Sequence, residues 1–165
     1  MAKLLVGAAA AVCAAWFSPG AAAQTRYPVT AECVIQAGRL QSIPPPLILG
    51  LLKTEGGRLG SESVNRNGSV DLGPMQVNDR VWVPKLAEMH FRGDRGAAYA
   101  ALRDHGCYSV HIGTWILRQY VDEAGGNYAE AIGLYNSHNE GPKRAYQARF
   151  ARNFRQLFAG LGGGG

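Results

Sequence analysis

The stretch Leu47-Ile48-Leu49-Gly50-Leu51-Leu52-Lys53-Thr54-Glu55-Gly56-Gly57 decides how this chain is read. Apolar residues fill it up to Lys53, which predicts a helix over 47–55, apolar nearly all round and buried at the centre of a small α domain. The helix delivers one carboxyl, Glu55, at its C-terminal end, and the Gly56-Gly57 pair stops it. A carboxyl placed there has apolar neighbours that desolvate it and feels the negative end of the helix dipole, and both raise its pKa. Such a group keeps its proton near neutral pH and can serve as a general acid. Sixteen residues downstream comes Asp71, in the turn-rich run Asn67-Gly68-Ser69-Val70-Asp71-Leu72-Gly73-Pro74-Met75-Gln76-Val77-Asn78. A carboxylate in that polar setting can stay ionised. Two carboxyls in contrasting surroundings are the equipment that breaks a glycosidic bond.

Upstream of the apolar helix, Val29, Cys33, Val34, Ala37 and Leu40 recur at three- to four-residue intervals, predicting an amphipathic helix over 29–41. Ser42-Ile43-Pro44-Pro45-Pro46 then reads as a connector, with proline opening the next helix. Downstream, residues 56–73 are rich in Gly, Ser and Asn, and Asn67-Gly68 is a favoured two-residue hairpin pair, so little strand is expected there. Asn78-Asp79 can cap a helix containing Val81, Trp82, Leu86 and Met89, and Asp94 one over 97–105. An apolar-periodic helix follows over 110–122, broken by Gly125-Gly126-Asn127. Two more are expected over 128–135 and 143–161, the last one basic, with a flexible glycine tail over 162–165. No internal repeat and no second domain is legible. The reading is therefore one domain over 24–161.

The N-terminus carries its own signal. Lys3 precedes an uncharged apolar run over 4–17, then Ser18-Pro19-Gly20 and Ala21-Ala22-Ala23. That is the pattern of a secretory signal peptide over 1–23, cleaved before Gln24, which implies export to the periplasm. The run is too short for a spanning helix, which needs about 20 apolar residues. Of the chain's 165 residues, 142 would remain, and the formal charge of +5 would fall to +4 with the loss of Lys3. A mildly basic exported protein suits an anionic wall polymer, although an ordinary soluble surface explains the charge equally well. No cluster of Lys and Arg with interleaved aromatics points to nucleic acid. Cys13 would leave with the signal, so Cys33 and Cys107 remain as an even pair in an exported chain. One disulfide between them is expected, with two free buried thiols as the alternative. No His or Cys stands beside either at ligand spacing, so no metal site is expected. His90, His105, His111 and His138 are scattered, and only His138, close to Tyr135, invites attention. Trp82 and Trp115 could stack on sugars, but core packing is the expected use.

Glu55, the run 67–78, Cys107-Tyr108-Ser109-Val110-His111-Ile112-Gly113 and Gly133-Leu134-Tyr135-Asn136-Ser137 resemble, in that order, the motifs of the soluble lytic transglycosylase and lysozyme superfamily. The likeness covers roughly 31–151 and is nearest to the small enzymes that accompany type III and type IV secretion, conjugation and pilus machines. It implies a mainly α, lysozyme-like single domain with a loop or β-hairpin as one wall of the cleft. It implies that Glu55 protonates the glycosidic oxygen between N-acetylmuramic acid and N-acetylglucosamine and then acts as base for the muramyl 6-hydroxyl. Asp71 would stabilise the transition state or act as nucleophile, or else be a turn residue bonded to backbone amides. Met75 and Gln76 would floor and line the sugar site, Tyr135 would bond the catalytic carboxyl, and Asn136 would hold cleft backbone or substrate. Two departures stand out: Pro74 replaces the usual Leu, and Val110 stands where the family has Asn. The implied partners are peptidoglycan strands and a secretion, conjugation or pilus complex. The chain is expected to act as a monomer without a cofactor, because a protonated carboxyl and the sugar's own hydroxyl suffice. A non-catalytic wall-binding protein is the rival, and intact Glu55, Gln76 and Tyr135 weigh against it.

Overall fold

The computed structural model describes residues 26–159, so the expected signal peptide and glycine tail lie outside the described residues. Helix α1 (Ala31–Gln41) is capped by Thr30, whose hydroxyl accepts from the Cys33 amide. Ser42 closes it in the left-handed conformation at φ 52°. Helix α2 (Pro45–Glu55) starts two residues before the sequence-based expectation, because proline needs no amide partner in a first helical turn. Ile48 and Leu51 of α2 are fully buried, but Leu49 is 40% exposed, and Pro46 and Lys53 share its outward stripe. The buried central helix that was expected is there, but neighbours cover α2 on its flanks and leave one narrow face in water.

Three short strands follow, β1 (Glu62–Val64), β2 (Val70–Leu72) and β3 (Val77–Asn78), forming one antiparallel sheet in sequence order. Ser63 pairs with Asp71, and Asp71 with Asn78. Asn67-Gly68 is not the two-residue turn that was expected. The turn runs from Asn65, whose carbonyl accepts from the Gly68 amide, and Gly68 takes φ +77° in a five-residue connection. The longer loop is stabilised by its own side chains: Asn67 Oδ1 accepts from both the amide and the hydroxyl of buried Ser69.

Helix α3 (Asp79–His90) is capped by Asn78, and α4 (Arg95–Asp104) by Asp94. Helix α5 (Gly106–Glu123) starts four residues before the expected apolar run, because His105 caps it by accepting from the Tyr108 amide. Helix α6 (Tyr128–Asn136) is capped by Asn127, and α7 (Glu140–Phe158) ends the described chain. A disulfide joins Cys33 of α1 to Cys107 of α5, and closing so long a loop is worth about 4 kcal/mol by chain entropy. The core is one cluster drawn from all seven helices, including Leu86 of α3, Leu102 of α4 and Tyr146 and Phe150 of α7, with Leu72, Met75 and Val77 of the sheet region. Gly50 is what lets α7 close on α2, since a Cβ there would stand 2.7 Å from the Phe150 ring. No helix among the described residues is long and apolar enough to cross a membrane.

Candidate active site

One cleft of about 630 Å³ lies between the sheet and the helices, within the usual size of a small-molecule site. Glu55 stands on its helical side. Gly56 caps α2 with φ +65° and its amide returns to the Leu52 carbonyl, so the chain turns away just past the carboxyl. Gly57 has a different reason. A Cβ there would stand 2.1 Å from the Gly73 carbonyl oxygen and 2.7 Å from Gln76 Nε2. The second glycine therefore admits the 73–76 turn against the end of α2.

The Glu55 carboxyl is pushed up from its ordinary 4.5 to about 7, chiefly by burial. The Tyr146 hydroxyl, which donates to Glu55 Oε1, and the Arg149 charge pull it down, and the Asp71 charge pushes it up. Burial outweighs the donors, so the group is poised to exchange its proton at neutral pH. Tyr146 is held in turn: it is 2% exposed, and the Arg149 guanidinium lies 4.9 Å over its ring.

Tyr135 does not take the place expected of it. Its hydroxyl donates to the Met75 carbonyl at 3.1 Å, and the phenol that reaches Glu55 is Tyr146. Burial and then the nearby Glu55 charge hold Tyr135 well above its ordinary pKa, so it remains a donor. It lines the cleft and pins the turn beneath it. Tyr146 is hard to single out in the sequence because it lies in the basic α7, yet a signal is present. Tyr146, Phe150 and Phe154 recur every four residues, the apolar stripe of a helix that packs inward.

Asp71 projects from β2 into the same cleft. Its Oδ1 accepts from Asn78 Nδ2 at 2.8 Å, and the same Asn78 amide donates to Ser69 Oγ at 2.9 Å while its Oδ1 caps α3. One residue thus fixes the second carboxylate, the hairpin and the following helix. Gln76 also lines the cleft, with φ +48° and its Nε2 donating to the Gly73 carbonyl at 2.8 Å. Asn136 lines it from the end of α6. Met75 corrects the expectation of a sugar floor. It is fully buried, and its side chain packs on Gly113, where a Cβ would come within 2.6 Å of Met75 Cε. Gly113 of α5 thus makes room for the 73–76 turn rather than for another helix. Pro74 sits in that turn just before Met75, where the Gln76 amide closes onto the Gly73 carbonyl, a place that uses proline's fixed φ and needs no donor. Trp82, expected in the core, lines the cleft and meets Trp115 edge to face at 5.5 Å. His138 lines the opposite rim, 3.0 Å from Glu123.

Residues 32–158 match the Transglycosylase SLT domain. The chain belongs to that family. Protein IpgF of Shigella flexneri is 32% identical over 124 residues, which is 74% of this chain and 76% of that protein. Invasion protein IagB of Salmonella typhimurium is 31% identical over 133 residues, 77% of this chain and 78% of that one. The lysozyme-like fold and the transglycosylase character follow at family level. The helical body with a small sheet as one cleft wall is the architecture the motifs implied.

Proposed function

We propose that this chain is a murein lytic transglycosylase with Glu55 as its single acid and base. The observation that carries the reading is a carboxyl raised to about 7 inside a sugar-sized cleft, with one phenol donating to Oε1. With Oε1 engaged by Tyr146, the proton on the carboxyl goes to the glycosidic oxygen between the muramyl sugar and the next glucosamine. The C1–O bond breaks and positive charge develops at C1 and the ring oxygen. The ionised carboxylate then takes the proton of the muramyl 6-hydroxyl as its oxygen bonds to C1. The product is a 1,6-anhydro sugar, no water is consumed, and Glu55 ends protonated as it began. Asp71, fixed by Asn78 and facing the same cleft, stabilises the developing positive charge. Gln76 and Asn136 orient the sugars, and Tyr135 acts from beneath by holding the 73–76 turn.

The presence of Asp71 in the cleft favours one further reading, a hydrolytic muramidase in which it acts as nucleophile or guides water. Mass spectrometry of muropeptides released from purified peptidoglycan separates the two. Anhydro ends are about 18 mass units lighter than hydrated ones and are expected here, with Glu55→Gln releasing none. Hydrated ends would replace the transglycosylase with the muramidase. No Glu55-dependent release would overturn both. The pattern over residues 1–23 supports action in the periplasm, and the Salmonella relative's name, an invasion protein, supports local opening of the wall for an envelope-spanning secretion, conjugation or pilus apparatus. Loss of that apparatus' assembly in a strain carrying Glu55→Gln is the expected outcome.

A further inference from the structure

The cleft is uneven in charge. Glu55 and Asp71 make its interior acidic, and the one Lys or Arg among its lining residues is Arg66, at the tip of the hairpin. Arg66 is exposed and forms no hydrogen bond or ion pair with a described residue. The turn that carries it is nevertheless fixed from several sides. Asn65 Nδ2 and Asn78 Nδ2 both donate to Ser69 Oγ, at 3.1 and 2.9 Å. Arg80 Nη1 donates to the Asn67 carbonyl at 2.8 Å, and Asp79 Oδ1 accepts from the Val70 amide at 2.7 Å. None of these bonds uses the Arg66 side chain. Two asparagines, a serine, an aspartate and a second arginine thus hold a turn whose own arginine lines the cleft without a partner among the described residues. A guanidinium so placed fits a carboxylate, which it can take with two parallel bonds.

The sugars of murein are neutral amides and alcohols, and its carboxylates hang from the muramyl ring. We propose that Arg66 binds a carboxylate substituent of the muramyl sugar and so makes the cleft selective for substituted strands; the proposal rests on the murein reading above. The carboxylate has two sources. In intact murein the lactyl group is tied up as an amide and the stem peptide supplies the charge. In strands stripped of peptide the lactyl carboxylate itself is free.

The test compares wild type, Arg66→Ala and Arg66→Lys on three substrates: peptide-bearing strands, amidase-stripped strands, and stripped strands with lactyl carboxylates capped as methyl amides. An exposed but well-oriented charge-assisted pair predicts that Arg66→Ala raises KM about three- to tenfold on a charged substrate, more at low salt than at high, with partial rescue by Arg66→Lys. The loss appears in KM rather than kcat, and the capped strands discriminate least between the variants. A loss confined to peptide-bearing strands assigns the stem peptide; a loss on stripped strands assigns the lactyl group. Equal losses on all three substrates, or none, overturn the proposal while leaving Glu55-dependent cleavage intact. Absence of that cleavage in wild type would instead sink the murein reading beneath it. Because the hairpin's hydrogen bonds bypass the Arg66 side chain, all three proteins are expected to melt together.

Discussion

Two carboxyls face one cleft from opposite walls, and their surroundings could hardly differ more. Glu55 ends a helix whose buried residues include Ile48 and Leu51, and burial sets its proton affinity against one phenol donor and the Arg149 charge. Asp71 lies in the middle of a three-residue strand, paired across the sheet with Asn78 and bonded to that residue's amide. The helical wall is a packed apolar body that happens to expose one acid. The sheet wall sends Leu72 and Val77 into the core, and side-chain bonds among Asn65, Asn67, Ser69, Asn78 and Asp79 hold its polar face together. The same functional group thus sits desolvated at a helix end on one side and hydrogen-bonded within a polar hairpin on the other.

The largest effect tests the helical side. Glu55→Gln keeps the shape and removes the proton, and release of muropeptides should fall by about a thousandfold or more. The same substitution should stabilise the protein above neutral pH. The folded carboxyl holds its proton up to about 7 while the unfolded one releases it near 4.5, so wild-type stability falls as pH rises through that window. Glutamine has no such loss, and a gain of about 3 kcal/mol at pH 8, the worth of the shift, is the upper bound. Chemical denaturation of both proteins at pH 5 and pH 8 reads it. A variant that is both inactive and no more stable at pH 8 than wild type would mean that Glu55 is not desolvated, and the contrast between the walls would collapse. Next in size is Asp71→Asn, expected to slow release by about ten- to a hundredfold if the carboxylate stabilises charge at the reacting centre. An unchanged rate would demote Asp71 to a turn residue bonded to its neighbour.

Gly57 lies where the walls touch. A Cβ there meets the Gly73 carbonyl, a backbone atom that cannot swing aside. Gly57→Ala should cost about 1–3 kcal/mol as overpacking, read as a lowered Tm. Activity should fall too, because displacing the 73–76 turn moves Gln76 relative to Glu55. Gly56→Ala is the comparison: its cost comes from φ +65° alone, since nothing stands within 4 Å of the missing Cβ.

The two walls were unequally legible in the sequence. The helices could be read because period and caps are local: Asn78 and Asp94 were found as caps, and the apolar runs gave the right elements with ends off by a few residues. Glu55 was legible for the same reason, an acid ending an apolar helix before two glycines. The sheet wall was harder, since its order comes from side-chain bonds across several residues. The Asn67-Gly68 pair pointed to a two-residue turn, while Ser69 and Asn65 built a longer one. Long-range partnerships were the least visible. Tyr146 reaches Glu55 across 91 positions and Tyr135 reaches Met75 across 60, and nothing local tells which of two tyrosines faces which acceptor. Met75 was misplaced because a flexible thioether suits a cleft floor as well as a core, and only Gly113 on a distant helix decides between them.

The smallest effect is the sharpest comparison, because it gives the walls opposite signs. Under the proposed reaction Glu55 must be protonated, so the rate should fall as pH rises through about 7. Tyr146 lowers the proton affinity of Glu55 by donating to it, and Asp71 raises it by its charge. Tyr146→Phe should therefore move the falling limb of the kcat/KM profile to higher pH, and Asp71→Asn should move it to lower pH. Each shift should be read as a position along the pH axis, independently of how much overall rate the variant loses. The Asp71 shift should shrink at high salt, since it is transmitted as field across an open cleft, whereas the Tyr146 shift is a direct contact and should persist. An Asp71→Asn limb that stays where the wild-type limb lies would mean that the two carboxyls do not sense each other, and that the walls act on substrate separately.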